Sequence, residues 1–166
     1  MARRDSEEIV TQSVLDRLTD SEPLMAVDAP VSRAQSVRQL KTSLRRDLEW
    51  LLNTRRTPDE AGPEFQELQQ SVYNYGLPDI TSMSVSNVRD RDRLLVYVES
   101  TIATYEPRLE AVKITPIESI SLTTRTVRFQ IEGMLKMDPA PEHVSFDTVL
   151  QLSSGEYQVK GEQSAR

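Results

Sequence analysis

The feature that most constrains the fold is a change of hydrophobic period at Pro107. Before it, Leu94, Leu95, Val98, Ile102 and Tyr105 recur at helical spacing. After it the period becomes two. In "RTVRFQIEGMLK", Val127, Phe129, Ile131, Gly133 and Leu135 fall on one side, and Arg128, Gln130, Glu132 and Lys136 on the other. "AVKITPI" sets Val112 and Ile114 on one face, and its Pro116 marks a sheet edge or a bend. "SFDTVLQL" and "EYQVK" flank "SSG" and read as a hairpin. Helices followed by antiparallel strands define an α+β class: N-terminal helices packed on one face of a small, mainly antiparallel C-terminal β-sheet.

Three further helices are expected upstream. "SEEIVTQSVLDRLTD" carries Val10, Val14 and Leu18 at four-residue spacing. A longer helix begins at Ser32, which has capping-box spacing to Gln35, and runs to Asn53 with Val37, Leu40, Leu44, Leu48, Leu51 and Leu52 as its apolar stripe. A third starts near Pro63, aligns Phe65, Leu68, Val72 and Tyr75, and stops at Gly76. "GLPDI" is then extended, because Pro78 disfavours a helical Leu77. Ser86 or Asn87 caps the helix that ends at Pro107. The chain divides into an N-terminal helix and linker (1–30), one α+β domain (31–160) and a short polar tail (161–166).

Composition narrows the function. The net charge is -6, so nucleic acid is not an expected partner. The absence of cysteine removes disulfides and thiolate metal sites. No apolar run approaches the roughly 18–20 residues of a membrane span, and the start lacks a secretory apolar core; a cytoplasmic location is expected, without direct membrane insertion. There is no glycine-rich phosphate loop, so no cofactor is expected. His143, the single histidine, sits in "PAPEHVSF", read as a loop before a strand. Glu49 beside Trp50 falls on the polar side of its helix and makes no acid pair for glycoside chemistry. Trp50 itself reads as a helix-packing residue. No catalytic or metal-binding set emerges.

The most informative local feature is the corner Glu106-Pro107-Arg108. Pro107 ends the helix. A solvated surface pair would account for the flanking charges. The alternative is that the stiff corner aims them, with Arg108 forking onto a partner carboxylate or helix C-terminal carbonyls.

"SVLDRLTD", "LKTSLRRDLEWLLNTRR", "SVYNYGLPDI" and "IATYEPRL" occur in this order. Together they resemble the TssE family of type VI secretion baseplate proteins, related to a contractile-phage baseplate wedge protein historically labelled a lysozyme. The resemblance spans roughly residues 10 to 160, with "NTRR", "YGLPD" and "YEPRL" as its most specific elements. It implies a non-enzymatic cytoplasmic protein that joins TssF, TssG and TssK to the first ring of the TssB/TssC sheath and helps initiate sheath assembly. It also implies that the sheet takes strands from sheath arms, and that Glu106, Pro107 and Arg108 hold the baseplate–sheath joint. Two other readings stand beside it: a peptidoglycan hydrolase, and a regulatory anti-adaptor binding module of similar fold.

Overall fold

The structure, a computed structural model, describes residues 10–19, 23–24, 31–59, 62, 64–80, 83, 87–117, 126–151 and 154–161. The longest helix, α2 (Arg33–Asn53), starts where its sequence signals place it. The Ser32 hydroxyl accepts from the Gln35 N–H, and the Gln35 side chain accepts from the Ser32 N–H. Leu40, Leu44, Leu48, Leu51 and Leu52 of its stripe are buried, while Val37 at the first turns is only partly covered. Helix α4 (Val88–Tyr105) is capped by the Asn87 side chain, which accepts from the Arg89 N–H, and buries Leu94, Val98 and Ile102.

Four strands follow: β1 (Leu109–Pro116), β2 (Thr126–Leu135), β3 (Glu142–Gln151) and β4 (Glu156–Val159). They form one antiparallel sheet in chain order, with β1 and β4 at its edges. The alternation in β2 holds: Val127, Phe129, Ile131, Gly133 and Leu135 all point into the core. Val144, Phe146 and Leu150 of β3, and Tyr157 and Val159 of β4, complete that face. Helix α2 packs along β4 and α4 against β1, so the helices cover one face of the sheet. Each fully buried leucine between the layers contributes roughly 1.5–3 kcal/mol by leaving water.

β1 departs from simple alternation. Its pairing with β2 shifts by one residue between Glu110 and Lys113, so Ala111 and Val112 together oppose Gly133. Ala111 adopts φ 50°, the left-handed region that a residue with a Cβ rarely enters. Gly133 makes room for this bulge: a Cβ there would lie 3.3 Å from the Glu110 carbonyl oxygen. The bulge changes which parity faces inward, so Leu109 and Ile114 are buried and Val112 is only half-buried.

Two expected helices are shorter than their patterns suggest. The first, α1, spans Val14–Leu18, because the Ser13 hydroxyl accepts from the Asp16 N–H and starts the helix there; the part expected before Val10 lies outside the described residues. Its Val14, Leu15 and Leu18 face solvent. The third is broken into α3 (Gln66–Gln69) and a single 3₁₀ turn at Val72–Asn74, with Phe65, Leu68 and Val72 exposed. Ser71 makes the break: its hydroxyl donates to the Leu68 carbonyl and accepts from the Tyr73 N–H, an alternative to the helical ladder. Pro63 lies outside the described residues.

Candidate functional site: a charge network behind Pro107

The corner between α4 and β1 is pinned through its backbone. Glu106 caps α4, its N–H donating to the Ile102 carbonyl at 2.9 Å, and the Leu109 N–H donates to the Glu106 carbonyl at 3.1 Å. The Lys136 N–H then ties the Arg108 carbonyl to the end of β2 at 2.8 Å. Pro107 stands exposed at the apex.

The flanking charges are not a solvated pair. Glu106 is only 5% exposed, and its carboxylate turns inward. Arg108 Nε donates to Glu106 Oε1 and Nη2 to Oε2, each at 2.6 Å, a two-pronged charge-assisted contact. The Arg108 N–H adds a bond to Oε1 at 3.3 Å. Arg108 Nη2 also reaches Asp47 Oδ2 on α2 at 2.7 Å. The hydrogen-bonded Glu106 carboxylate, with Asp47 adding to it and burial opposing it, raises the guanidinium pKa well above its ordinary value. Arg108 Nη1 is shielded from solvent and has no hydrogen-bond partner among the described residues.

The network continues through Asp47. Its Oδ1 accepts from Arg46 Nη2 at 2.8 Å and Nε at 3.1 Å, and Arg46 Nη2 also donates to Asp16 Oδ1 on α1 at 2.8 Å. Charges of alternating sign thus run Asp16–Arg46–Asp47–Arg108–Glu106 and join α1, α2 and the corner. Burial pulls the Asp16 pKa upward, but bonds from Ser13, Arg46 and Ser43 outweigh it and leave it below the ordinary aspartate value. Of these residues, the motif reading found only Glu106 and Arg108. Asp47 carried a signal: it lies three residues after Leu44 and four before Leu51, on the flank of the apolar stripe.

The other singled-out residues are also placed. Trp50 is 53% exposed, contrary to its expected packing role: it lies about 100° round the helix from Leu51 and about 160° from Leu48, off the buried stripe. The Arg46 guanidinium covers its ring at 4.8 Å from the centroid. His143 is the second residue of β3 rather than a loop residue, exposed and opposite Met134. Glu49 is a part-exposed residue of α2. Among the described residues no helix is long and apolar enough to cross a membrane.

"NTRR" and "YGLPD" are mated. The Leu77 N–H donates to the Thr54 carbonyl at 2.8 Å and the Arg56 N–H to the Leu77 carbonyl at 3.0 Å, a short parallel bridge that buries Leu77. Gly76, at φ 102°, makes this close approach: a Cβ would sit 2.2 Å from the Thr54 carbonyl oxygen. The expected glycine stop is therefore a docking turn.

The chain is thus an α+β domain whose sheet has one helix-covered face, two edge strands and an ion-paired corner at its margin. A family model described as baseplate wedge protein gp25 matches residues 38–140, well over half of the chain, and the protein belongs to that family. The match runs from α2 to the loop after β2 and contains the whole Glu106-Pro107-Arg108 corner. No curated protein matches the sequence.

Proposed function

We propose that the protein is a non-enzymatic component of a type VI secretion baseplate, working in the bacterial cytoplasm. It joins the wedge proteins TssF, TssG and TssK to the first ring of the TssB/TssC sheath and helps initiate sheath assembly. Membership of the baseplate wedge family supports a baseplate role. The observation that carries the site is the inward pairing of Glu106 with Arg108 and Asp47, which holds exposed Pro107 at a set position beside the edge strand β1. In this reading Glu106, Pro107 and Arg108 form the partner-binding joint. The two charges set its shape, and Pro107, exposed at the apex, meets the partner.

The test combines affinity purification with sheath imaging in the producing bacterium. TssF and TssG should co-purify with the protein, and deletion of its gene should abolish sheath assembly. Normal sheaths in the deletion strain would overturn the role. Arg108→Lys keeps a charge but loses the fork; if it folds, it should reduce sheath number. Wild-type assembly by folded Arg108→Lys and Pro107→Gly variants would remove the joint from the proposal.

A further inference from the structure

Residues 57–88 hold most of the chain's charge excess. They include five acids, Asp59, Glu60, Glu64, Glu67 and Asp79, and no lysine, arginine or histidine, in a chain whose net charge is -6. The middle of this segment also carries apolar side chains that the fold leaves outside. Phe65 is 54% exposed, Leu68 38%, Val72 86% and Tyr73 40%. Glu64 and Glu67 are exposed among them, and neither has a salt-bridge partner among the described residues.

The exposure is fixed from beneath. The Tyr105 hydroxyl donates toward the carbonyls of Gln69 at 3.3 Å and Ser71 at 3.2 Å. The Tyr75 ring meets Tyr105 edge-on, with 5.3 Å between centroids, and the Leu77 bridge to Thr54 and Arg56 holds the far end. Burial, with the charges of Asp47 and Glu106 adding to it, raises the Tyr75 pKa, so this end of the segment lies against the network behind Pro107. The segment is thus held through its main chain, Tyr75 and Leu77, while Phe65, Leu68, Val72 and Tyr73 remain in solvent.

An apolar patch with a charged rim marks a contact surface. The sign of the rim selects the occupant. Acids without bases repel nucleic acid, anionic lipid and a second copy of the same surface, and favour a cationic partner. Arg56, close enough to act on the Tyr105 hydroxyl, bounds the patch on one side. The backbone selects the partner's conformation. The N–H groups of Leu68, Gln70, Ser71, Asn74 and Tyr75 are spent in local turns, so there is no strand edge to extend. Recognition therefore falls to side chains, as in the docking of an amphipathic helix.

We propose that Phe65, Leu68, Val72 and Tyr73, with Glu64 and Glu67, form a docking surface for a basic amphipathic helix of another protein. The inference rests on this patch and not on the baseplate reading above. The apolar stripe of the helix covers Leu68 and Val72, the two aromatic rings anchor it, and its flanking lysines or arginines meet the two glutamates.

Two synthetic helices of about 18 residues test this, one built of leucine and lysine and one of leucine and glutamate, each titrated into the isotope-labelled full chain while amide signals are followed by NMR. The leucine–lysine helix should shift the amides of residues 64–75 to saturation, and the leucine–glutamate helix should leave them in place. Glu64→Lys combined with Glu67→Lys should weaken binding about tenfold or more, and so should Val72→Ser combined with Tyr73→Ser. These side chains are exposed, so an otherwise unchanged spectrum reports an intact fold. Shifts confined to other acids, such as Asp92 and Glu99 of α4, would overturn the site. Equal affinity for the Val72→Ser, Tyr73→Ser protein would reduce the contact to charge attraction and overturn the docking surface. Equal binding of the leucine–glutamate helix, or equal affinity for the Glu64→Lys, Glu67→Lys protein, would overturn the basic partner. Shifts at residues 64–75 that grow with protein concentration, without peptide, would give the patch to a second copy and overturn the proposal. Absence of saturable binding by the leucine–lysine helix would overturn it too and leave the baseplate reading standing.

Discussion

Arg108 faces two carboxylates, and one of them, Glu106, has almost no contact with water. Removing the guanidinium leaves that carboxylate buried beside Asp47, another negative charge. Arg108→Ala should therefore cost roughly 3 kcal/mol in chemical denaturation, the usual scale for breaking a buried pair from one side. Arg108→Lys should lose less, because a point charge remains without the two-pronged geometry. A different buried group works in the opposite sense. The Tyr157 hydroxyl is buried without a hydrogen-bond partner among the described residues, and burial pushes its pKa far up. Tyr157→Phe removes an unsatisfied donor and keeps the edge-on contact with Phe129. It should raise stability by about 1 kcal/mol, seen as a higher thermal midpoint. Sequence showed the helix stop at Pro107 because proline acts locally. It did not show the inward turn of Glu106, because Arg108's second partner, Asp47, is 61 positions away in the chain.

Elements with a buried, periodic face were legible, and elements held by polar contacts were not. The α2 stripe and the β2 alternation follow from water exclusion, which acts at fixed intervals along an element. Helix α1 has apolar residues at helical spacing, yet it docks through Asp16 and leaves Val14 and Leu18 in solvent, so its period pointed to the wrong face. That docking is pH-dependent with a definite sign. The folded-state pKa of Asp16 is lowered, so its contribution is complete above the ordinary aspartate value near 3.9 and is lost as pH falls through the lower folded value. Exchange protection at Val14–Leu18 should hold at about pH 6 and fall in acid before that of α2, whose hold is apolar. Loss of both together would show that α1 is not held by this carboxylate. The turn at Gly76 makes a sharper test of contact between elements. Alanine there meets both a positive φ and the Thr54 carbonyl, so Gly76→Ala should destabilise by about 2 kcal/mol or more and loosen the Arg55–Leu77 bridge.

For the whole molecule, the question is what the first thirty residues contribute to a domain whose buried core, among the described residues, lies between α2, α4, the Leu77 turn and the sheet. Helix α1 buries no residue of its own. Its segment touches the body through the Val10 N–H on Ser36 Oγ at 3.3 Å, the Gln12–Gln39 side-chain contact and the Asp16–Arg46 pair, with Val10 partly covered by the core. Contacts of this kind contribute about 1–2 kcal/mol together, small beside the leucine and strand packing that remains. A chain trimmed to residues 31–161 should accordingly unfold in one cooperative transition, with a midpoint lowered by only a few degrees. A drop beyond about 10 °C, or a broad transition, would place the N-terminal segment inside the folding unit. The trimmed chain also separates two roles of the charge network. Without Asp16, Arg46 keeps Asp47 as its partner and Asp47 still holds Arg108, so the corner should keep its shape. A trimmed protein that stays folded yet fails to support sheath assembly would then assign the lost function to the first thirty residues, among which α1 turns Val14, Leu15 and Leu18 to solvent.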